Sequence, residues 1–499
     1  MRIALVPLDE RPVNVDLPQQ VAAIAGVEIV VPPIEILPAM RKPAQLNKLH
    51  EWMREQVRNP QTTHLVACID TVVHGGIIPA RITSDTTDEV LRRLAIFTEL
   101  RNLNPHMNVA AASLIMRASD SYSAVEEPEY WSSVGRQLHR IGGDLHRALE
   151  QDVQTGHSSF FVDKDVDSDV TRDFELRRLR NHMVNLATVA LHENGELDTL
   201  ALTADDTAPY SAGSAEQVWL RHWCRALPGG RSVMMYPGAD EVGAVLVARA
   251  LTSGMKPPTF SIACGEIDGL ERVPNFENAP LLDSLTRQII AAGGRLAENG
   301  ERPDIVLIAH APDPSHGDYF GSRPTSDPNA TERTIALTRG ALQDGLSVAL
   351  ADVRFSNGGD PALVEKLADE GLLMKLASYG GWNTAGNTIG GVVAQAIAHW
   401  VGGQTGTFDE LEAQRALLTR VLDDSAYQSG IRPALHDTIF GGQIGPVPEQ
   451  TQRLARDRIV SGLQQYVDRI TTSSTQWSVA DVSLPWARSF EIGLTLLPR

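Results

Sequence analysis

Residues 2–14 read RIALVPLDERPVN, in which an apolar run at residues 2–8 ends abruptly in charged residues. Uninterrupted apolar runs of this length are typical of strands covered on both faces, as in parallel sheets. Helical patterns separate most of these runs, so the sequence predicts an α/β fold. Nine further runs of this kind lie at residues 27–32, 64–69, 108–115, 199–203, 232–236, 259–263, 304–309, 347–351 and 373–378.

The repeated strand–helix pattern predicts a (β/α)-barrel of the TIM type, in an irregular form with helical additions. Ten strand candidates exceed the eight of a regular barrel, so doubly wound parallel-sheet domains are the alternative. The α/β catalytic domain is expected at residues 1–404, with a helical insertion or lid at 118–198. Residues 259–404 are a candidate for a separate Rossmann-like part. Residues 405–499 are expected to be mainly helical, with an edge strand at 490–497.

The amino-acid composition restricts the kinds of molecule that the protein is expected to bind. The net charge is −18, which disfavours nucleic acid and anionic membranes because both require clustered Lys and Arg. No apolar run reaches the ~20 residues of a membrane span, and the first residues lack a signal-peptide pattern, so the cytoplasm is expected. Cys68, Cys224 and Cys264 show neither metal-ligand nor disulfide-framework spacing and are predicted to be free thiols.

Polar residues follow directly on almost every predicted strand. In α/β folds the carboxyl ends of the strands face the ligand. A single carboxylate there is often only a helix cap, but capping does not account for Arg, Tyr and Trp at the same places. The candidate substrate-binding residues are Asp9, Arg11, Asp70, His74, Arg81, Arg117, Tyr210, Asp240, Glu241, Asp352, Asn357, Tyr379, Trp382, Asn383 and Asn387.

The adjacent carboxylates Asp205 and Asp206 are the predicted catalytic residues. They end the apolar run at residues 199–203, where the chain turns into a loop. Two nearby acids in different surroundings titrate apart, which provides one acid and one base. The alternative is an ordinary turn in which one of the two caps the next helix.

The segment after the last predicted strand suits a sugar. Trp382 offers a flat apolar face, and Asn383 and Asn387 carry amide donors and acceptors. The surrounding glycines match neither phosphate-binding loop, so no cofactor is expected.

A metal site is the alternative at the strand ends. It would use a mixed set of nitrogen and oxygen ligands, but no tight ligand spacing supports it, so no metal is predicted. The residues of that alternative are Asp70, His74, His310, Asp313, His316 and Asp318.

Several of these strings resemble the bacterial family catalogued as domain of unknown function 4127. The resemblance rests on residues 5–14 (LVPLDERPVN), on the stretch from Asp70 to Arg81, on residues 205–210 and 238–241, and on residues 380–388. It covers the chain to about Trp400 and implies no reaction.

The acidic pair followed downstream by Trp-Asn is also similar to N-acetylhexosaminidases that work by substrate assistance. In such enzymes the 2-acetamido oxygen of the substrate attacks the anomeric carbon, an exception to the usual two-carboxylate scheme. The similarity implies that Asp205 holds the acetamido nitrogen and that Asp206 is the general acid/base. It further implies an acetamido pocket walled by Trp382 and Tyr210, and sugar hydroxyls bound by Asp9, Arg11, Asp70 and Asn383. Asp240 and Glu241 form the rival acid pair.

The expected function is therefore a glycoside hydrolase, an exo-acting β-N-acetylhexosaminidase for N-acetylgalactosamine or N-acetylglucosamine. Its partner would be a small oligosaccharide or glycoside, and a homo-oligomeric state stays open. The alternatives are a metal-dependent hydrolase or sugar isomerase, and a sugar-binding protein without catalysis.

Overall fold

The computed structural model describes residues 1–156, 166–471 and 475–499. The chain forms two compact units, and it passes from one to the other several times. The first unit comprises residues 1–10, 28–246 and 276–279; the second comprises residues 11–27, 247–275 and 280–499.

The first unit is built on six parallel strands in the order β2-β1-β3-β4-β5-β6. Its core is aliphatic, and β3 is buried along its whole length. The strands are β1 (Arg2–Val6), β2 (Glu28–Val30), β3 (His64–Cys68), β4 (Asn108–Ile115), β5 (Thr199–Ala204) and β6 (Met234–Pro237).

The second unit contains five parallel strands in the order β11-β10-β9-β7-β8. Counted within each unit, both sheets place the second strand outside the first and continue on its other side with the third. This is the strand order of flavodoxin-like sheets, in which ligands bind beyond the carboxyl ends near the point where the order reverses. The strands are β7 (Thr259–Cys264), β8 (Arg295–Leu296), β9 (Ile305–His310), β10 (Ser347–Asp352) and β11 (Ser378–Gly380).

The α/β class is thus confirmed. The structure has two parallel sheets where a single barrel was expected. No strand pairing among the described residues closes either sheet. Apolar runs report burial on both faces, and barrels and doubly wound sheets satisfy that condition equally well. The reversal of strand order depends on tertiary pairing, which the runs do not encode.

One predicted strand is misplaced. Residues 373–375 form a 3₁₀ turn, and the strand begins only at Ser378. Leu373 and Leu376 are three residues apart and both pack into the core of the second unit, an arrangement that a helical turn allows and a strand does not.

Helices surround the sheets in the order that the sequence pattern predicts. In the first unit or crossing its boundaries are α2 (Leu46–Arg58), α3 (Ile69–Val73), α4 (Ile77–Ile82), α5 (Thr87–Leu94), α6 (Ile96–Leu103), α7 (Trp131–Thr155), α8 (Ser168–Glu193), α9 (Ala212–Ala226) and α10 (Val242–Leu251). In the second unit are α1 (Pro12–Ile24), α11 (Leu281–Ala291), α12 (Pro328–Gln343), α13 (Pro361–Asp369), α14 (Ala385–Thr405), α15 (Glu410–Arg420), α16 (Arg432–Leu435) and α17 (Glu449–Ile470).

The C-terminal region combines helices with a small hairpin. A π-helix (Val421–Ile431) follows α15 directly, and a second short π-helix spans His436–Phe440. β12 (Trp477–Ser483) and β13 (Gly493–Pro498) pair antiparallel and α17 packs on β12.

In the described part of the chain, none of the helices combines the length and apolar character required to cross a membrane.

Candidate active site

The predicted catalytic residues lie at the carboxyl edge of the first sheet. Asp70 follows β3, Arg117 follows β4, and Asp205 and Asp206 follow β5. Because β3, β4 and β5 are neighbours in the sheet, their carboxyl ends bring these side chains together.

Two arginines bind the carboxylates of Asp205 and Asp206. Arg81 donates to Asp205 at 2.5 Å, and Arg117 donates to Asp206 at 2.7 Å. Arg81 and Asp205 are both buried, so their ion pair is shielded from water. The sequence predicted all four residues but not which arginine pairs with which acid.

Two further acids complete this group, and sequence reasoning missed both. Glu126 accepts from Arg81 at 3.2 Å and from Arg117 at 2.8 Å, while Glu127 accepts from Arg117 at 3.0 Å. They belong to the 118–198 segment that was predicted to be an insertion or lid. No strand directly precedes Glu126 and Glu127, so the search for polar residues at strand ends (the strand-end rule) did not find them. Whether the segment closes on a ligand stays a prediction. Its residues 157–165 lie outside the described chain. We call Asp70, Arg81, Arg117, Glu126, Glu127, Asp205 and Asp206 the Asp–Arg cluster.

Asp206 is more accessible than Asp205. About 30% of its side chain is exposed, whereas Asp205 is buried. Burial of the carboxyl in its surroundings nevertheless raises the pKa of Asp206 to about 6, against the opposing charge of Arg117. Its backbone φ of 27° lies in the left-handed region, which a non-glycine residue adopts only when its surroundings enforce it. Asp206 can therefore carry a proton near neutral pH.

Asp70 lies beneath this pair. The backbone N–H of Leu114 donates to its carboxylate at 2.9 Å. Burial raises the pKa of Asp70 to about 7, and the charge of Asp205 contributes in the same direction. The cluster thus contains two carboxyls with raised pKa values, Asp70 and Asp206. Beside them, Asp205, Glu126 and Glu127 accept hydrogen bonds from the two arginines.

Arg178 of α8 braces the end of β4. It donates to the carbonyl of Met116 at 2.9 Å and to that of Arg117 at 3.2 Å, and its Nε donates to Glu216 at 2.9 Å. These bonds fix the backbone from which Arg117 reaches Asp206. A buried arginine on a helix gives no sequence signal of this role.

His74 and Tyr210 lie at two different places in the first unit, and their predicted role in substrate binding stays a prediction. His74 is buried at the end of α3, and burial lowers its pKa to about 3. The ring of Tyr210 packs 5.2 Å from that of His146 and 4.8 Å from the guanidinium of Arg147, both on α7. Tyr210 therefore connects the loop after Asp206 to α7.

Asp9, Asp240 and Glu241 are buried at the same edge of the first sheet. Burial raises the pKa of the Cys68 thiol, and the charges of Asp70, Asp9, Asp240 and Glu241 raise it further, which places these acids around the end of β3. Oε2 of Glu241 accepts from the backbone N–H of Ala239 at 2.8 Å.

Glu241 is expected to carry a proton. Burial holds its pKa well above the usual range. A Cβ at position 238 would lie only 2.0 Å from Oε1 of Glu241, so Gly238 is the residue that fits beside this carboxyl.

The buried acids predict that stability falls as pH rises above 7. Burial raises the pKa of Asp70, Glu216 and Asp423 to about 7 and that of Glu241 well above its usual range. In the unfolded chain these groups ionise near pH 4, so the folded state holds extra protons that it loses as pH rises through the folded pKa values. The melting temperature should therefore fall between pH 7 and 8.5.

Buried histidines act in the opposite direction, but mainly below pH 7. His74 is neutral when folded, so its stabilising contribution is lost as pH falls through the unfolded value near 6.5. Thermal unfolding of Glu241→Gln is the control: it keeps the shape, removes the titration, and should show a flatter decline. A melting temperature that rises from pH 7 to 8.5 in both proteins would refute this account.

The remaining predicted residues belong to the second unit. Oδ2 of Asp352 accepts from the hydroxyl of Tyr379 at 3.0 Å and from the N–H of Asp360 at 2.7 Å. His310 lies 3.2 Å from Asp360 through Nε2 and 2.9 Å from Thr334 through Nδ1. The glycines after β10 and β11 leave no room for side chains beside Tyr379, so these groups form a packed, buried network.

A second acid pair lies in the π-helix and was not predicted. Arg420 donates to Asp424 at 2.9 Å and to Asp423 at 3.1 Å, and Asp424 also accepts from the N–H of Gly381 at 2.9 Å. Burial raises the pKa of Asp424 to about 6. This pair lies inside a helical sequence pattern rather than after a strand, so the strand-end rule did not identify it.

The residues expected to form a sugar platform are largely enclosed within the second unit. Trp382 is buried and meets Phe490 edge-on, with the ring centroids 6.0 Å apart. Asn357 and Asn383 have φ values of 60° and 61°, and the N–H of Asn357 donates to the carbonyl of Asn383 at 2.8 Å.

Arg11 and Asn387 are also buried. Arg11 pairs with Glu491 at 3.4 Å and lies 4.5 Å from the ring of Trp486. Asn387 lies in the first turns of α14.

The alternative metal ligands are engaged in other contacts. Asp313 accepts from Arg354 at 3.1 Å, and Asp318 accepts from Asn357 at 2.8 Å. Among residues 1–156, 166–471 and 475–499, no group of three or more His, Cys, Asp or Glu side chains is arranged to hold a metal ion.

Comparison with known proteins identifies a family but no activity. The family described as "Protein of unknown function (DUF4127)" matches residues 3–495, which extends well beyond the motifs that end before Trp400. No curated protein matches the chain. The similarity to N-acetylhexosaminidases therefore rests on the residues of the site alone.

Proposed function

Because the chain belongs to the DUF4127 family, whose description states no reaction, we propose its function from its own residues. The proposed function is a glycoside hydrolase, an exo-acting β-N-acetylhexosaminidase with Asp206 as its general acid/base. It needs no cofactor and acts on small glycosides of N-acetylgalactosamine or N-acetylglucosamine.

The observation that carries the proposal is the different surroundings of the two adjacent acids: Asp205 is buried against Arg81, and Asp206 is partly exposed beside Arg117. Asp206 is partly exposed and has a pKa raised by burial to about 6, so about half of the molecules carry this proton at pH 6 and about a tenth at pH 7. General acids work best when their pKa lies near the working pH. Asp205 is buried and accepts a charge-assisted hydrogen bond from Arg81.

Asp205 suits the second task of a substrate-assisted reaction. Its carboxylate can accept the N–H of the substrate's 2-acetamido group, which orients the acetamido oxygen towards the anomeric carbon. It also stabilises the positive charge that the acetamido group acquires as its oxygen attacks. The electrostatic contribution of such a fixed carboxylate is greatest in a site that excludes water.

The proposed reaction proceeds in two steps. In the first, the acetamido oxygen forms a bond to the anomeric carbon while the glycosidic bond breaks, and Asp206 gives its proton to the leaving oxygen. In the second, the Asp206 carboxylate removes a proton from water as the water oxygen attacks the anomeric carbon and the acetamido oxygen departs. The free hemiacetal is released with Asp206 protonated again.

A panel of nitrophenyl glycosides, assayed with and without EDTA, tests the proposal. We expect release of nitrophenol from a β-N-acetylhexosaminide, undiminished by EDTA. Above pH 6 kcat/KM should fall about tenfold per pH unit, because the general acid loses its proton through a pKa of about 6. An otherwise identical hexoside without the acetamido group should not be cleaved.

The other outcomes identify the alternatives. Activity that EDTA abolishes would favour a metal-dependent hydrolase or isomerase. Saturable binding of an N-acetylhexosamine without turnover of any glycoside would favour a sugar-binding protein.

A further inference from the structure

The long helix α8 has apolar residues on two faces. Its inner face buries Phe174, Val184 and Val189 against the first unit. On the opposite face Leu176, Leu179 and Met183 are 49%, 53% and 37% exposed. A surface helix ordinarily has a polar outer face, so a row of exposed large apolar residues marks an interaction surface.

The exposed residues follow the repeat of a coiled coil. Starting from Arg172, the outer positions are separated alternately by four and three residues, through Leu176, Leu179 and Met183 to the half-buried Leu186 and the exposed Ala190. Spacing of four and three keeps one seam of a helix facing another helix. The surface, which we call the α8 seam, therefore suits a helix with the same repeat rather than a loop or a strand.

We propose that the α8 seam binds the α8 seam of a second copy of this chain, antiparallel about a two-fold axis at Met183. This pairing places Leu176 opposite Ala190, and Leu179 opposite Leu186 and Ala187, which are partly buried and also pack against the core of their own first unit. Large residues therefore face smaller ones and Met183 meets its own copy. A two-fold interface must be self-complementary in this way.

Charge selects the antiparallel arrangement. Arg172 lies at the start of the seam, and Glu193 ends the helix. Antiparallel pairing brings Arg172 close to Glu193 of the second copy at both ends, whereas parallel pairing would bring Arg172 beside Arg172. Antiparallel helix dipoles also attract each other.

Sedimentation velocity on the full-length protein tests the assembly. The wild type should form a dimer, and Leu179→Glu, which places two charges in the apolar seam, should sediment as a monomer. Because Leu179 is exposed in the single chain, its replacement should leave the melting temperature within about a degree at concentrations where the wild type is also monomeric. A wild-type monomer at all concentrations, or a Leu179→Glu dimer, would overturn the proposal.

Cross-linking tests the axis. In a Cys264→Ser background, Met183→Cys should form a covalent dimer under mild oxidation because the residue meets its own copy. Val218→Cys on α9 is the matched control, since it has similar exposure at 45% but lies outside the seam. Equal cross-linking of the two variants, or none at Met183→Cys, would overturn the two-fold arrangement. None of these measurements depends on the proposed hydrolase activity.

Discussion

Asp206→Asn is expected to lower kcat/KM for a nitrophenyl β-N-acetylhexosaminide by about 10²-fold or more, the usual cost of losing a general acid. Asn has the same shape, and its oxygen can still accept the hydrogen bond that Arg117 now donates at 2.7 Å. It has no proton to give to the leaving oxygen and cannot remove one from water. The loss should therefore appear in activity, measured as steady-state kinetics, while the melting temperature is retained or rises.

The dependence on the leaving group separates acid catalysis from a general disturbance of the site. A dinitrophenyl glycoside needs little help from an acid, so Asp206→Asn should impair its cleavage much less than that of a nitrophenyl or alkyl glycoside. Asp85→Asn is the matched control, because Asp85 is a partly buried carboxylate of the same unit paired with Arg93 at 2.8 Å. If Asp206→Asn were as active as Asp85→Asn, or lost equal activity on every leaving group, Asp206 would not be the acid and the rival pair Asp240 and Glu241 would be next.

The strands could be located from sequence because buried parallel strands carry continuous apolar runs. β4 lies at the predicted residues 108–115, and β1, β3 and β5 differ only at their ends. The strands β8 and β12 do not carry a continuous apolar run of this kind. β8 has two residues, and β12 has a bulge between Val479 and Asp481 that interrupts the alternation of buried and exposed residues. The apolar runs could not show how the strands are arranged into two sheets, because that arrangement depends on which strands pair.

The part of the site that could be predicted consists of polar residues at the carboxyl ends of strands. Parallel strands that are neighbours bring their carboxyl ends together, and this found Asp70, Arg117 and the Asp205–Asp206 pair. It could not show that Arg81 pairs with Asp205, because 124 residues separate them. The same rule also selected residues such as Trp382, which is enclosed by packing in the second unit. A strand end thus identifies the edge on which a polar side chain lies, whereas its exposure depends on what packs over it.

Arg81→Met is expected to have the largest effect on stability, a loss of about 3–5 kcal/mol in the free energy of unfolding of the first unit. Arg81 is buried and donates to Asp205 at 2.5 Å and to Glu126 at 3.2 Å, with Glu127 at 3.5 Å. Met has a similar length but no charge, so it leaves carboxylates without their cation in a site with little water. Removing one member of a buried ion pair costs this much because the other charge stays buried. Urea unfolding followed by circular dichroism measures the change.

Two comparisons show whether the unpaired charge is the cause. Arg92→Met removes an exposed arginine paired with Asp88 one helical turn away on α5, and it should change stability by less than about 0.5 kcal/mol. Adding Asp205→Asn to Arg81→Met removes the stranded carboxylate and should recover part of the loss, although Glu126 and Glu127 must still be neutralised by Arg117 alone. Recovery would place the cost on Asp205 itself. Arg81→Met as mild as Arg92→Met would mean instead that Arg117 alone neutralises the cluster and that its stability does not depend on the ion pair between Arg81 and Asp205.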